Sequence, residues 1–317
     1  MSDMPKSSYL FHSSTSNEFP SECKNIDIAF VGERVDDRGF SSVEEIYSHS
    51  KNVHIIKFDP EQQLTLLNDT PIQKQKLVET IQNKKRILID ATTVGLGEIL
   101  QILLATNKAS IKEIEFVYAE PGQYTQQSSN NESHHNSREF ALTHNCVFRS
   151  VQGFAHQHDN GSPASHIFML GFEQGRILNA FEQRAVFDLE NYKCHFIIGV
   201  PAFKAGWESN SIRPHLDILD ELKVSERAIS YCQANSIRES YHTLWDLYTK
   251  IGDERKTLFV SPLGTKPHTV GAALFLFETK GNDKITSLYY DHPKRLINRS
   301  RNIERWHYVN VMLLPNS

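Results

Sequence analysis

Short, continuous apolar runs recur along the chain and alternate with longer segments of helical periodicity. The apolar runs predict buried strands at residues 26–31, 53–58, 87–90, 114–119, 167–170, 194–199, 258–260, 285–290 and 308–314. Helices are predicted at residues 70–82, 96–105, 212–219, 226–251 and 269–277, with a further helix ending near residue 185. Strands that are apolar throughout are typical of a parallel sheet covered on both faces. The pattern therefore predicts an α/β fold, Rossmann-like, with a mostly parallel sheet and helices on both faces.

The domain organisation predicted from the chain is simple. Residues 1–24 are polar and rich in serine, which predicts a disordered N-terminal segment. Residues 25–317 are expected to form a single Rossmann-like α/β domain. Two polar stretches, 125–137 and 155–165, predict surface loops, so a subdivision near 125–165 is left open.

One stretch predicts an anion-binding turn. The apolar run 258–260 is followed by Ser-Pro-Leu-Gly-Thr-Lys-Pro-His and then by a small, apolar helix. The N-terminus of a helix favours negative charge, Gly264 allows close approach of a ligand, and Thr265 and Lys266 supply a hydroxyl and a charge. His268 belongs to the same candidate site. The spacing is not that of a P-loop, and the alternative is an ordinary turn with a solvated lysine.

A second glycine-bearing loop, Gly-Phe-Glu-Gln-Gly-Arg at residues 171–176, also opens a predicted helix. Arg176 is suited to bidentate binding of a phosphate, whereas the alternative is a surface arginine paired with Glu173 or Asp188. Ligands of open α/β sheets bind beyond the carboxyl ends of the strands. We therefore expect Arg176 and Lys266 to project into a common cleft.

Two further strand ends carry candidate polar groups. Thr92 and Thr93 follow Asp90 at the end of a strand, where they either cap the next helix or touch a ribose or phosphate. Glu120 follows the run 114–119 and is suited to accept from a ribose hydroxyl or to act as a general base, with a salt bridge as the alternative. The absence of G-x-G-x-x-G argues against ordinary NAD binding.

No cofactor and no metal site is predicted. The histidines at 134, 135, 144, 156 and 158 lack the spacing of known metal motifs, and the four cysteines form no C-x-x-C pair. No nucleophile motif is present, so the catalytic residues are unknown. The most basic segment holds Lys294, Arg295, Arg299, Arg301 and Arg305, and it predicts either a solvated face or a cover for an anionic ligand.

Composition narrows the class of protein. The net charge is −4, with 39% hydrophobic and 23% charged residues, as in an ordinary soluble globular protein without a marked affinity for nucleic acid or membranes. No signal-like or membrane-spanning apolar run is present. The expected location is cytoplasmic, with reduced thiols.

Two of these segments resemble known sequences. The strand–Leu-Gly-Thr-Lys-Pro-His–helix segment is similar to the Gly-Thr-Lys turn of CARF-type Rossmann-like domains, and the run 87–90 with Ala-Thr-Thr resembles their first strand and loop. The resemblance implies a homodimeric sensor of cyclic oligonucleotides in a prokaryotic antiviral system. It implies ligand contacts at Thr92, Thr93, Gly264, Thr265 and Lys266. The turn here reads Pro-Leu-Gly-Thr-Lys, whereas Thr-Gly-Gly-Thr-Lys is common in that family.

The sequence thus predicts a cytoplasmic protein that binds a nucleotide or another phosphorylated small molecule, without contact to a membrane. The first alternative is a nucleotide- or nucleoside-processing enzyme that uses Glu120, Asp90 or Asp291. The second is a structural subunit that contacts a protein partner through the helix predicted at 226–251.

Overall fold

The computed structural model describes residues 9–125, 140–144, 147–156, 162–182, 191–251 and 257–313. The strands are β1 (Tyr9–Ser16), β2 (Ile28–Val31), β3 (Val53–Asp59), β4 (Leu64–Leu67), β5 (Thr70–Ile72), β6 (Ile87–Asp90), β7 (Glu113–Tyr124), β8 (Thr143–His144), β9 (Ala164–Met169), β10 (Tyr192–Gly199), β11 (Ile229–Cys232), β12 (Thr257–Pro262), β13 (Ile285–Leu288), β14 (Lys294–Arg295) and β15 (Ser300–Leu313). The helices are α1 (Asp37–His49), α2 (Lys74–Ile81), α3 (Leu96–Lys108), α4 (Gln174–Glu182), α5 (Glu208–Ile212), α6 (Leu216–Glu221), α7 (Ile237–Lys250) and α8 (Lys266–Glu278).

The chain divides into two compact units. Unit 1 comprises Met1–Tyr124 and Ser300–Ser317, and unit 2 comprises Thr125–Arg299. The first boundary falls at the edge of the region 125–165 where a subdivision was left open, whereas the prediction of one domain over 25–317 differs from this division. The sequence pattern could not show it, because β15 returns from the end of the chain to pair with β7.

Unit 1 contains an eight-stranded mixed sheet in the order β1-β15-β7-β6-β2-β3-β4-β5. Its central strands β7, β6, β2 and β3 are parallel, and antiparallel strands flank them on both sides. Val43 and Ile46 of α1 pack on the face that bears Ala29 and Val31 of β2. Because side chains alternate along a strand, α3 lies on the opposite face, where its Gly97 touches Phe58 of β3.

Unit 2 contains a five-stranded sheet in the order β11-β10-β9-β12-β13, and every pair is parallel. Residues of α4 and α6 pack on the face that bears Phe168 and Phe196. On the other face, the His268 ring of α8 lies 3.5 Å from where a Cβ on Gly199 would stand. The prediction of an α/β fold with largely parallel sheets is therefore confirmed.

The two units share one arrangement of strands. In unit 2 the chain starts in the centre with β9, runs outward through β10 and β11, and then returns to the other side of β9 with β12. In unit 1 it starts with β2, runs outward to β3, and returns to the other side of β2 with β6. Each sheet thus has a point where the direction of strand addition reverses, between β9 and β12 or between β2 and β6.

Three local predictions were wrong. Residues 9–16 form β1, antiparallel to β15, although 1–24 had been expected to be disordered. The segment predicted as a helix at 70–82 begins as β5, and the one predicted at 226–251 contains β11 before α7 begins at Ile237. β1 forms because it pairs with the distant β15, whereas β5 pairs with the nearby β4 and β11 pairs with β10. In the last two segments strand pairing outweighs local helix propensity. Helix α1 had not been predicted at all.

Several residues discussed above lie outside the described part of the chain: most of the polar stretch 125–137 with His134 and His135, and also Cys146, His158 and Asp188. Within the described residues, none of the helices combines the length and the apolar character needed to cross a bilayer.

Candidate functional site

The points of strand reversal are the natural places to look for a site. At the carboxyl ends of the two strands that flank such a point, the connecting helices leave on opposite faces and a crevice forms between the loops. Each unit has one such point, between β2 and β6 in unit 1 and between β9 and β12 in unit 2.

In unit 1 the polar groups at this point are bonded to one another. The Gly32 amide, directly after β2, donates to Thr93 Oγ1 at 2.8 Å. A Cβ on Gly32 would stand 2.2 Å from the Thr93 carbonyl oxygen. The loops after β2 and β6 are therefore in direct contact, and the amide and the hydroxyl that meet there are bonded to each other.

The threonine hydroxyls predicted to touch a ligand are also engaged internally. Thr93 Oγ1 donates to Asp90 Oδ2 at 2.6 Å, and Thr92 Oγ1 accepts from the Ala119 amide at 2.9 Å. Ser42 and the Thr92 amide donate to Asp90 Oδ1. Burial raises the pKa of Asp90, against the opposing effect of these donors. The group acts as a structural tie between β6, α1 and β7.

Glu120 is buried beside a histidine. Glu120 Oε2 lies 2.6 Å from His307 Nε2, and His307 Nδ1 lies 3.1 Å from Thr15 Oγ1. The carboxylate is only 2% exposed, whereas Thr15 is exposed on β1. This geometry matches the salt-bridge alternative for Glu120. The Thr15 hydroxyl, the His307 imidazole and the Glu120 carboxylate form a continuous series of hydrogen bonds.

Arg38 is a buried charge that the sequence analysis missed. Its Nε donates to Ser300 Oγ at 2.8 Å, one Nη donates to the Ala119 carbonyl at 2.8 Å, and the other pairs with Asp36 at 3.2 Å. Burial opposes the charge, but the interactions with Tyr118, Tyr124 and Asp36 outweigh it and hold the pKa of Arg38 above its ordinary value. The only feature of the sequence that points to Arg38 is its position shortly after Gly32, which ends the predicted strand 26–31.

In unit 2 the reversal point lies between the two glycine loops predicted from the sequence. A Cβ on Gly171, after β9, would stand 2.5 Å from the Leu263 carbonyl oxygen and 3.5 Å from the Gly264 Cα, after β12. The two loops therefore touch at their glycines, at one edge of the sheet of unit 2.

Helix α8 begins at this contact. Thr265 is its N-cap and accepts from the His268 amide at 3.3 Å, while its hydroxyl donates to the Ala234 carbonyl at 2.6 Å. The amides of Gly264 and Thr265 have no acceptor among the described residues. Lys266, the first residue of α8, is half-exposed. Two amides and an ammonium at a helix N-terminus are suited to bind an anion.

Arg176 connects the loop after β9 to the loop after β12. Its Nε and one Nη donate to the two Asp291 carboxylate oxygens, both at 2.7 Å, and the other Nη donates to the Leu263 carbonyl at 2.9 Å. Asp291 is fully buried and Arg176 is 8% exposed. Its partner is thus Asp291, not Glu173, whose carboxylate accepts from the amides of residues 142 and 143. The expectation that Arg176 projects with Lys266 into a common cleft was wrong for Arg176, because its guanidinium is buried and neutralised by Asp291.

His268 lies beneath the Gly264 loop and is fully buried. Its Nε2 donates to the Gln233 carbonyl at 3.0 Å. Its Nδ1 has no hydrogen-bond partner within the described residues and lies 3.0 Å from where a Cβ on Gly264 would stand. Burial lowers the pKa of His268 to about 4, so the ring is neutral at pH 7. It supports the loop from inside and offers no charge to a ligand.

The predicted residues therefore fall into two groups. Arg176, Gly264, Thr265, Lys266 and His268 surround one point in unit 2, whereas Thr92, Thr93 and Glu120 belong to unit 1. The basic segment is also divided, with Lys294 and Arg295 in β14 of unit 2 and Arg301 and Arg305 in β15 of unit 1. In the described parts of the chain, no group of three or more His, Cys, Asp or Glu side chains is placed to hold a metal ion.

Comparison with known proteins identifies no family for this chain. No protein-family model matches it, and no curated protein matches it. Among solved structures, it is similar to a periplasmic ribose ABC transporter protein from Conexibacter woesei, at 9% identity and a TM-score of 0.23, over 80% of this chain and 67% of that one. A TM-score of this size carries no argument about fold or ligand.

Proposed function

We propose that the protein binds a nucleotide or another phosphorylated small molecule at the carboxyl edge of the five-stranded sheet of unit 2. In this proposal unit 2 is a Rossmann-like domain, since its strand order and reversal point match those of doubly wound nucleotide-binding sheets. The observation that carries the proposal is the contact between Gly171 and the loop at Gly264, with unbonded amides and Lys266 directly beside it.

The roles proposed for the individual residues follow from their burial. The amides of Gly264 and Thr265 and the ammonium of Lys266 contact the phosphate. Arg176 is a positioning residue, because its guanidinium is buried and paired with Asp291. His268 supports the Gly264 loop. Thr92 and Thr93 are assigned to the structure of unit 1, because their hydroxyls are already bonded within it.

Calorimetric titration with AMP, ATP and cyclic oligoadenylate tests the proposal. The wild-type protein should bind at least one of these compounds. Lys266→Ala should weaken binding tenfold or more, because a hydrogen bond to a charged group contributes about 1.5–3 kcal/mol. Lys193→Ala is the matched control, since Lys193 is exposed at the amino end of β10, at the opposite edge of the same sheet. Equal affinity of the two variants would contradict the proposed seat.

The resemblance to CARF-type domains adds a narrower form of this proposal. A sensor of cyclic oligonucleotides in an antiviral system would bind cyclic oligoadenylate more tightly than AMP or ATP, and it would do so as a homodimer. Sedimentation of the protein with and without cyclic oligoadenylate measures the second expectation. A monomer that binds AMP as tightly as the cyclic compound would contradict the proposal of a cyclic-oligonucleotide sensor. It would leave the wider proposal, that unit 2 binds a phosphorylated small molecule, in place.

One observation favours an enzyme as the second candidate function. Thr15, His307 and Glu120 form a chain of hydroxyl, imidazole and carboxylate, the groups with which many hydrolases activate a nucleophile. If the protein hydrolyses a nucleotide through this chain, Thr15→Ala and Glu120→Gln should both lose turnover. Wild-type protein without turnover would remove this candidate. The third reading, a structural subunit, has no such support, because α7 buries its apolar face within unit 2.

A further inference from the structure

Two aromatic side chains lie on the loops after β9 and β10, next to the loop after β12 that carries the proposed phosphate seat. Phe172 directly follows Gly171 at the end of β9, and Trp207 ends the loop that follows β10. Their ring centroids are 6.1 Å apart and their planes meet at 80°, so one ring faces the edge of the other. Both side chains are only half-buried. Large aromatic surface that remains partly exposed beside a polar site calls for an explanation.

Contacts within the protein fix the position of the Phe172 ring. Its ring packs against Phe140 with centroids 5.0 Å apart. The segment that carries Phe140 is tied to the same loop, because Glu173 Oε1 accepts from the amides of Leu142 and Thr143 at 2.8 and 2.9 Å. The aromatic corner formed by Phe172 and Trp207 is thus supported on the Phe172 side by contacts within the protein.

Lys204 covers the Trp207 ring. Its Nζ lies 5.7 Å from the ring centroid, in a cation–π contact. The lysine side chain is long and flexible, so its ammonium can leave the ring for a phosphate at little cost. A flat base can then take its place on the ring, since base–aromatic stacking is sequence-tolerant and strong in proteins that bind nucleic acid.

The aromatic corner is continuous with the phosphate seat. Phe172 is the neighbour of Gly171, Gly171 touches the Leu263–Gly264 main chain, and Lys266 follows two residues later. The loop of Lys204 and Trp207 begins after Gly199, which lies against His268 of α8. Three neighbouring loops at one edge of the sheet thus carry the parts of the site. The aromatic rings follow β10 and β9, the glycines follow β9 and β12, and the anion seat follows β12.

From this arrangement we infer that Phe172 and Trp207 form a base-binding subsite, and that the ligand of unit 2 is a nucleotide. The base stacks on Trp207 against Phe172, the phosphate binds the amides and Lys266, and Lys204 moves from the ring to the phosphate. The inference rests on the proposed function and narrows it from phosphorylated compounds in general to those that carry a nucleobase.

Titration with AMP and with ribose 5-phosphate separates the two parts of the site, because the compounds differ only in the base and the hydroxyl that replaces it. AMP should bind wild-type protein more tightly than ribose 5-phosphate and should change the fluorescence of Trp207. Trp207→Ala should weaken AMP binding about tenfold, the effect of losing one stack, and change ribose 5-phosphate binding less than twofold. Trp207→Phe should restore most of the affinity for AMP.

The chain contains three tryptophans, so Trp245→Phe serves as the spectroscopic control and should keep the fluorescence response to AMP. Equal loss of affinity for both compounds in Trp207→Ala, or no loss for either, would overturn the base subsite while leaving the phosphate seat in place. If neither compound nor any other phosphorylated probe binds wild-type protein, the proposed function fails together with this inference.

Discussion

Gly171 lies directly against Leu263: a Cβ at position 171 would come within 2.5 Å of the Leu263 carbonyl oxygen. This contact joins the loops after β9 and β12 at the point where strand order reverses. Only a residue without a side chain allows it, because the obstacle is main chain and cannot rotate away. The two glycine loops therefore depend on each other for their conformation.

Gly171→Ala should separate the two loops. We expect a loss of about 1–3 kcal/mol in the free energy of unfolding, typical of an overpacked site, and loss of nucleotide binding. Gly175→Ala is the matched control, since nothing lies within 4 Å of its Cβ position and Gly175 lies in α4. It should be neutral or stabilising by up to about 1 kcal/mol. Urea unfolding and calorimetric titration measure both; similar behaviour of the two variants would refute the contact.

Removal of Arg176 should leave Asp291 as an uncompensated buried charge. Arg176→Met is expected to cost about 3–5 kcal/mol, as does breaking a buried ion pair in other proteins. Arg176→Met combined with Asp291→Leu should cost clearly less than the sum of the single changes, because the two side chains are coupled. Urea unfolding of the three variants gives the coupling energy. Additive costs would show that the pair does not hold the loops.

The hydroxyl of Thr93 distinguishes a structural role from a ligand contact. Thr93→Val keeps the shape but deprives the Gly32 amide of its acceptor and Asp90 of a donor, which should cost about 1–3 kcal/mol. Thr93→Ser keeps the hydroxyl and should stay closer to wild type. Neither should change nucleotide affinity by more than a small factor. A stable Thr93→Val protein that has lost its ligand would restore Thr93 as a contact residue.

His268 should make stability depend on pH between about 4 and 6.5. Its pKa is about 4 in the folded protein because of burial, against 6.5 for the free side chain. The unfolded chain therefore binds the proton first, and folding stability falls as pH decreases through this window. Lowering pH from 7 to 5 should remove about 2 kcal/mol through this residue.

His268→Gln keeps a donor for the Gln233 carbonyl without the titration, so its stability should fall less over the same interval. His292, whose pKa burial also lowers to about 4, contributes in the same window in both proteins and cancels in the comparison. Urea unfolding at pH 7 and pH 5 measures the difference. Parallel loss of stability in wild type and variant would show that His268 is protonated when folded.

Most core strands were predictable because burial on both faces demands unbroken apolar runs. The runs at 53–58, 87–90 and 194–199 became β3, β6 and β10 with only small changes at their ends. The outer strands β1, β4 and β5 were not predictable in this way, because many of their side chains are exposed or partly exposed. β1 is held by the distant β15, and β4 and β5 continue from β3 as an antiparallel ribbon.

The site was predictable in its loops but not in its contacts. Glycine and lysine after a buried strand marked residues 264–266, and a second glycine loop marked residues 171–176. No neighbouring residue indicated that Arg176 would form an ion pair with Asp291, since the two residues are 115 positions apart. The sequence alone did not indicate Phe172 and Trp207, because large aromatic residues usually belong to the core.

The amino-acid sequence by itself determined the class of fold and the positions of the loops, since apolar runs and turn-forming residues act over a few neighbouring positions. Only the tertiary structure decided that the chain forms two units, that Thr92 and Thr93 are bonded within one of them, and that Gly171 meets Leu263 in the other. These outcomes depend on strand order and on packing between distant residues, and the cost of a close main-chain contact or a buried charge exists only once both partners are in place.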